Sequence, residues 1–225
     1  MKYNELLKLH PELFTNNNAL FEIIIDDKII NTWATNRKKE LAKQGLPKNW
    51  GDIGVVYEDP YIIIVRDLVK FPSGNLGSYF RLINSADIKG GQSSVILPIV
   101  NDMILLMNQF RHPTRKWHWE VPRGYGEPNT SAVDNAKKEL LEEIEGEVAE
   151  LVSLGQYHSN TGLEGVITQL FLARMEVVGN THLDEGIVSY KFFTVKQVEK
   201  MICNEEITDG FTIAAFTRAK LKGLI

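Results

Sequence analysis

The sequence lacks the features of several large classes of protein. Its single cysteine, Cys203, can form no intramolecular disulfide and no cysteine-based zinc site. Its longest apolar runs, residues 61–65 and 104–107, are far too short to span a bilayer. Residues 1–14 contain acids and a proline where a secretory signal needs an apolar stretch. We therefore expect a cytoplasmic protein with no membrane partner.

The chain also has no excess of positive charge. Its 25 Lys and Arg residues and 29 Asp and Glu residues give a formal net charge of −4, so nucleic acid is not an expected partner. Hydrophobic residues make up 44% and charged residues 24%, which excludes a disordered, collagenous or coiled-coil chain. With 225 residues, the chain has room for one sizeable domain and an extension.

Residues 1–50 differ in texture from the rest of the chain and predict a mostly helical extension. A short helix is expected within residues 4–14 and a strand within residues 19–30. An exposed helix is expected within residues 35–47, where Gly45 and Pro47 would stop it. This segment carries no catalytic signature.

From residue 51 onward, β-branched runs alternate with turn residues and predict a sheet. The predicted strands are 52–56, 61–71, 78–84, 93–100, 103–110, 117–121, 147–157, 166–177 and 188–195. Helices are predicted at 131–145, 196–203 and 211–221. Strands mixed with helices in this way predict an α/β (α+β) fold in which helices cover a sheet.

The helix predicted at 131–145 combines an apolar stripe with a cluster of acids. The stripe consists of Val133, Ala136, Leu140 and Ile144, and either Thr130 or Ser131 would be the N-cap.

The acids of the cluster are Glu139, Glu142 and Glu143. Their i, i+3, i+4 spacing brings the three carboxylates to one edge of the helix, where they repel each other. A bound cation would reverse this cost, and oxygen ligands favour Mg²⁺, or Mn²⁺, over zinc.

The segment around these acids resembles the signature of Nudix hydrolases, G-x5-E-x7-R-E-U-x-E-E-x-G-U, in which U is an aliphatic residue. Gly124 matches the first glycine, and Glu139, Glu142 and Glu143 match the family's metal-binding acids. Further segments are similar in order and spacing to the ADP-ribose pyrophosphatase branch. They are residues 109–113, 119–122, 127–128, 157–159, 184–187 and 205–216.

The chain departs from this signature at three positions. Thr130 replaces the first glutamate, Lys138 replaces the arginine, and Glu145 stands in place of the second glycine, with Gly146 one place late. In the family, the first glutamate and the arginine mostly orient the metal-binding acids, so these changes affect geometry more than the number of ligands.

The resemblance covers about residues 51–222 and implies a Nudix-type α/β/α sandwich with a mixed β-sheet. The domain would span residues 51–225, with an N-terminal β region at 51–90 and a catalytic core at 91–225. Since the strands before the core often build a dimer in this branch, the resemblance also implies a homodimer.

The resemblance further implies Mg²⁺-dependent hydrolysis of a nucleoside diphosphate linked to another moiety, such as ADP-ribose or a nucleotide sugar. Glu139, Glu142, Glu143 and the backbone carbonyl of Arg123 would hold the metal, and Glu142 and Glu143 would be essential for turnover. Gly124 would belong to the substrate-binding loop.

The general base implied by the resemblance is an acid on a later loop. Glu185 is the first candidate, Asp184 the second and Glu164 the third. Because Glu185 is also an ordinary choice for an exposed turn, the assignment stays open.

Other side chains are candidates for substrate contacts. Arg111 and Arg115 could clamp phosphate oxygens, and Tyr157 could stack on a base or simply belong to the core. A second interpretation of the whole chain is a nucleotide-binding sensor that no longer cleaves its ligand, as the changes at Thr130, Lys138 and Glu145 would allow.

Overall fold

The computed structural model describes all residues from Met1 to Ile225. Contacts divide the chain into two compact units. The first contains residues 1–88 and 160–165, and the second contains residues 89–159 and 166–225. Residues 1–50 therefore belong to the same unit as the strands that follow them.

The first unit consists of two helices and a four-stranded antiparallel sheet. Its elements are α1 (Tyr3–Leu9), β1 (Glu22–Ile24), α2 (Asp27–Lys43), β2 (Gly54–Glu58), β3 (Ile62–Lys70) and β4 (Leu76–Asn84). Strand β3 pairs with β4 along its whole length, and its other side pairs with β2 and β1. Strand β4 is therefore an edge of this sheet.

The strand predicted within residues 19–30 is wrong for most of its length. Only Glu22–Ile24 forms a strand, and α2 begins at Asp27. Asp26 starts this helix because its carboxylate accepts hydrogen bonds from the N–H groups of Lys28 and Ile29. The helix predicted within residues 35–47 is the second half of α2, and the chain leaves it at Gly45, where φ is +69°.

A buried aspartate connects α1 to the sheet of the first unit. Asp67 on β3 accepts a hydrogen bond from the Tyr3 hydroxyl at 2.6 Å and forms an ion pair with Arg81 on β4, also at 2.6 Å. Arg81 also donates to the carbonyl of Leu13. Burial, followed by the charge of Asp67, raises the pKa of Tyr3. The network holds the N-terminal segment on the strands.

The second unit contains the mixed sheet and three helices. Its elements are β5 (Ser93–Val100), β6 (Met103–Arg111), β7 (Lys116–Glu120), β8 (Arg123–Gly124), α3 (Ala132–Ile144), β9 (Glu147–Tyr157), β10 (Thr168–Val177), β11 (Ile187–Phe193), α4 (Val195–Cys203) and α5 (Gly210–Leu221). The strand order is β11-β6-β5-β10-β9, with β7 paired to β6 and β8 paired to β5. Strands β5 and β10 are parallel, and the other pairs are antiparallel.

Helices cover both faces of this sheet. All eight residues of β5 are buried, because its side chains enter two separate cores. Val95 and Leu97 pack with α4 and α5, whereas Ile96 and Val100 pack with α3. The α/β/α sandwich expected from the sequence is confirmed. None of the helices has the length and apolar character that a membrane crossing requires.

Helix α3 lies close to its predicted position. Ser131 is its N-cap and accepts a hydrogen bond from the N–H of Asp134. The predicted stripe is wrong at one position, because Val133 is exposed and Ala132 is buried in its place. Glu145 ends the helix in the left-handed conformation.

Candidate active site

The backbone between β7 and α3 lies against the glutamates of the helix. The N–H of Arg123 donates to Oε2 of Glu143 at 3.2 Å. At the next residue, Gly124, a Cβ atom would overlap the carboxylate of Glu139. Asn135 fixes this approach by donating to the carbonyl of Gly124 at 3.1 Å. The absence of a side chain at position 124 thus allows close contact with the acid.

The three glutamates differ in their exposure. Glu143 is 4% exposed, Glu139 is half-buried and Glu142 faces solvent. Burial, with a further contribution from the charge of Glu142, raises the pKa of Glu139 to about 7. Burial and the charge of Glu139 raise the pKa of Glu143 to about 8, against the hydrogen bond from Arg123. Two crowded and partly desolvated carboxylates therefore share this edge of α3.

Glu185 interacts with this pair through its charge, which is a minor cause of the raised pKa of both Glu139 and Glu143. It lies with Asp184 in an exposed 3₁₀ turn, and its backbone carbonyl accepts a hydrogen bond from Gln109 at 2.9 Å. Glu164, the third candidate base, belongs to the first unit.

A cavity of about 350 Å³ lies in the second unit beside Gly124. Its lining residues are Ser93, Ser94, Val95, Arg111, Pro113, Arg123, Gly124, Tyr125, Thr168 and Phe211. The hydroxyl of Ser93 is buried there without a hydrogen-bond partner. The volume of the cavity falls within the range of small-molecule sites.

The structure brings only some of the predicted substrate contacts to this cavity. Arg111 and Gly124 line it, whereas Arg115 and Tyr157 do not. The guanidinium of Arg115 lies over the ring of Phe110 at 5.2 Å. Tyr157 packs edge-on against Phe211, which lines the cavity.

The two arginines of the cavity are held by a network of acids that the sequence does not predict. Glu120, 1% exposed, accepts hydrogen bonds from Arg111 at 2.8 Å and from Arg123 at 3.0 Å. Arg123 also donates to Asp209 at 2.9 Å, and Asp209 in turn caps α5 through Thr212. Glu120 and Asp209 both lie in segments that resemble the family. No local sequence pattern, however, indicates that the side chain of Arg123 binds both acids.

An ion pair lies where the sequence departs from the Nudix signature. Lys138 contacts Glu127 at 2.5 Å and Glu142 at 3.6 Å, and the hydrogen bond to Glu127 is the main cause that raises the pKa of Lys138. Thr130 forms no such pair and donates its N–H to the carbonyl of Glu127. Glu127 therefore supplies a carboxylate for Lys138 in the loop where Thr130 cannot.

No three His, Cys, Asp or Glu side chains anywhere in the chain are arranged as a preformed metal site. The acids of α3 nevertheless have the donor chemistry of a hard divalent cation, since all their ligand atoms are carboxylate oxygens. A cation would also offset the repulsion that raises the pKa of Glu139 and Glu143. The residues present therefore fit such an ion.

Comparison with known proteins agrees with this geometry. A sequence profile of the NUDIX domain matches residues 91–211, more than half of the chain. The fold is similar to the crystal structure of an ADP compounds hydrolase, with a TM-score of 0.65 and 16% identity over 77% of this chain and 93% of the other. That identity supports the fold alone. A search of curated protein sequences finds no match.

Proposed function

The chain belongs to the Nudix family of hydrolases, which act on nucleotide-linked compounds, and we propose that its substrate is ADP-ribose or a related nucleotide sugar. Hydrolysis of the diphosphate of ADP-ribose would release AMP and ribose 5-phosphate. The observation that carries this proposal is the close approach of Arg123 and Gly124 to the carboxylates of Glu143 and Glu139, beside a cavity that Arg111 also lines.

Members of the family generally use divalent metal ions such as Mg²⁺. In the proposed site, Glu139, Glu142, Glu143 and the backbone carbonyl of Arg123 would hold Mg²⁺, with Mn²⁺ as the alternative. A bound divalent ion supplies neutralisation of phosphate charge and a lowered pKa for a bound water. The crowding of the carboxylates supports this assignment. A site that bound only a neutral ligand would gain nothing from acids that repel each other.

The remaining roles fall to residues of the chain itself. Arg111 would contact phosphate oxygens, with its guanidinium held in place by Glu120. Glu185 would accept the proton of the attacking water, and its exposure in the 3₁₀ turn, together with its charge interaction with Glu139, supports this role. Asp184, one residue earlier in the same turn, is the alternative base.

The second candidate function is a nucleotide sensor without hydrolytic activity. The replacements at Thr130, Lys138 and Glu145 favour it, because the first two fall at positions that the family uses to orient the acids and the third replaces the second glycine of the signature. The ion pair between Lys138 and Glu127 weighs against it, since a cation still lies beside Glu142.

Product analysis distinguishes the two functions. The purified protein is incubated with Mg²⁺ and ADP-ribose, nucleotide sugars, dinucleotides or nucleoside triphosphates, and the products are separated chromatographically. We expect AMP and ribose 5-phosphate from ADP-ribose and no product after Glu143→Gln. Glu147→Gln, an exposed acid at the start of β9, is the matched control and should keep full activity. A rise in Tm with nucleotide but no product would favour the sensor.

We also propose a homodimeric, cytoplasmic protein whose hydrolase domain extends over residues 51–225, with residues 1–50 as an extension. The edge strand β4 supports the dimer, because Leu76, Tyr79 and Phe80 on it are each 37–41% exposed. Sedimentation at micromolar concentration tests this state, and a monomer would contradict it.

A further inference from the structure

Glu145 occupies a backbone conformation that its side chain disfavours. Its φ of +48° and ψ of +41° lie in the left-handed region, where glycine is the usual residue at the end of a helix. The Nudix signature has its second glycine at this position. A strained residue that replaces glycine persists when its side chain forms contacts that glycine could not form.

The side chain of Glu145 contacts a neighbouring loop. Its Oε2 accepts hydrogen bonds from the backbone N–H of Asn180 at 2.9 Å and from the Asn180 side chain at 3.4 Å. Its Oε1 lies 3.9 Å from Nε2 of His182. At Gly179 a Cβ atom would overlap the Glu145 carboxylate. Positions 145 and 179 are therefore complementary, because the side chain of Glu145 fits only when position 179 has no Cβ atom.

This loop, residues 178–186, carries the proposed general base. We name it the base loop. None of its residues is buried, so it has no core of its own to fix its conformation. Its far end is held by β6, because Gln109 donates to the carbonyl of Glu185 and the N–H of Phe110 donates to the carbonyl of Gly186. Its near end is held by α3 and also by Tyr190 of β11, whose hydroxyl donates to the carbonyl of Gly179 at 3.0 Å.

At the near end, the helix contributes two kinds of contact. The carbonyl of Ile144, the last residue of α3, accepts a hydrogen bond from Gly179 at 2.9 Å, and the carboxylate of Glu145 accepts from Asn180. A hydrogen bond to a charged acceptor is stronger than one between neutral groups. The carboxylate of Glu145 thus joins the base loop to the helix that bears the crowded acids.

We propose that Glu145 is a positioning residue that holds the base loop at the end of α3 and so fixes Glu185 relative to Glu139 and Glu143. The inference rests on the proposed function in taking Glu185 as the base. The structural part, that Glu145 orders the base loop, does not depend on any activity.

Hydrogen–deuterium exchange tests the structural part in the full chain. In Glu145→Gly, amides of residues 178–186 should exchange about tenfold faster than in the wild type, because the acceptor for Asn180 is lost. Glu145→Gln keeps an oxygen acceptor and should stay within about twofold of the wild type.

The matched control is Glu205→Gly. Glu205 is also a glutamate with positive φ just after a helix, at +62°, but it follows α4. Its replacement relieves the same kind of backbone strain and should leave exchange of the base loop and kcat unchanged.

Kinetics test the catalytic part. In Glu145→Gly, kcat should fall about ten- to a hundredfold with little change in KM, because the base is misplaced while the cavity is intact. Glu145→Gln should restore most of kcat. Gly179→Ala should repeat the loss, and the double variant Glu145→Gly/Gly179→Ala should lose no more than Glu145→Gly alone, because both changes break one contact.

The outcomes separate this inference from the proposed function. Unchanged exchange of the base loop in Glu145→Gly, at an unchanged Tm, would overturn it. Faster exchange with wild-type kcat would overturn the catalytic part. If the wild type hydrolyses no substrate, the proposed function fails, and the exchange measurement alone decides whether Glu145 orders the base loop.

Discussion

The backbone N–H of Arg123 lies 3.2 Å from Oε2 of Glu143, so the loop before α3 donates directly to the most buried acid of the helix. The next residue, Gly124, brings the backbone against Glu139. The two consecutive residues of β8 therefore set the positions of two carboxylates. We therefore expect substitutions at these two positions to displace the carboxylates before they destabilise the fold.

Replacement of Gly124 tests this relationship. In Gly124→Ala, the added methyl group would displace the Glu139 carboxylate, and we expect kcat to fall at least about tenfold with a change in Tm of only a few degrees. Gly165→Ala is the control, because a Cβ atom at Gly165 meets nothing within 4 Å. Steady-state kinetics that show equal activity in both variants would contradict the prediction.

Arg111 and Arg115 were both predicted to bind phosphate, but their substitution should affect KM differently. Arg111 lines the cavity, whereas Arg115 does not. Arg111→Gln should raise KM for a diphosphate substrate about tenfold or more, because a charged hydrogen bond to phosphate is lost. Arg115→Gln should change KM less than about twofold. Initial-rate measurements over a range of substrate concentrations check both values.

The buried ion pair of the first unit should dominate its stability. Arg81→Met would leave Asp67 buried without its cation and should lower the free energy of unfolding by about 3 kcal/mol. Lys70→Met, on the same strand as Asp67, removes the exposed ion pair with Glu22 and should cost less than about 0.5 kcal/mol. Urea unfolding of the two variants measures the difference, and equal losses would show that the burial of Asp67 is unimportant.

Asp87 should make stability depend on pH. Burial, together with the charge of Glu164, raises the pKa of Asp87 to about 6. The carboxyl group of Asp87 therefore binds a proton more tightly in the folded state than in the unfolded state. Its contribution to the free energy of unfolding is fully present below about pH 4 and is lost as the pH rises through about 6. Asp87→Asn should raise the free energy of unfolding at pH 7.5 by roughly 1 kcal/mol, after allowance for solvent screening, and by much less at pH 4. Denaturation at both values checks this, and a gain independent of pH would refute it.

Periodic features of the sequence predicted the second unit well. Runs of β-branched residues between turn residues indicated the strands of its sheet, and helical spacing indicated α3, although β5 is buried on both faces and does not alternate. The spacing of Glu139 and Glu143 likewise placed both acids on one edge of α3. Their unequal burial could not be predicted, because it depends on the loop at Arg123 and Gly124.

Features that depend on a single side chain or on distant partners were missed. One carboxylate, Asp26, converts the expected strand into the start of α2. Arg123 binds both Glu120 and Asp209, and Asp209 lies 86 residues after Arg123 along the chain. Spacing within a window cannot show such partners, because the tertiary fold alone brings them together.

The parallel pairing of β5 with β10 has a consequence for how the chain folds. Ser93 pairs with Thr168, so the centre of the sheet joins strands that are separated along the chain by β6, β7, β8, α3 and β9. The antiparallel pair β9–β10 is local and can form early, whereas closure of β5 on β10 carries the entropy of a long loop. We therefore expect the cavity, whose lining includes residues of both central strands, to be completed only in this late step.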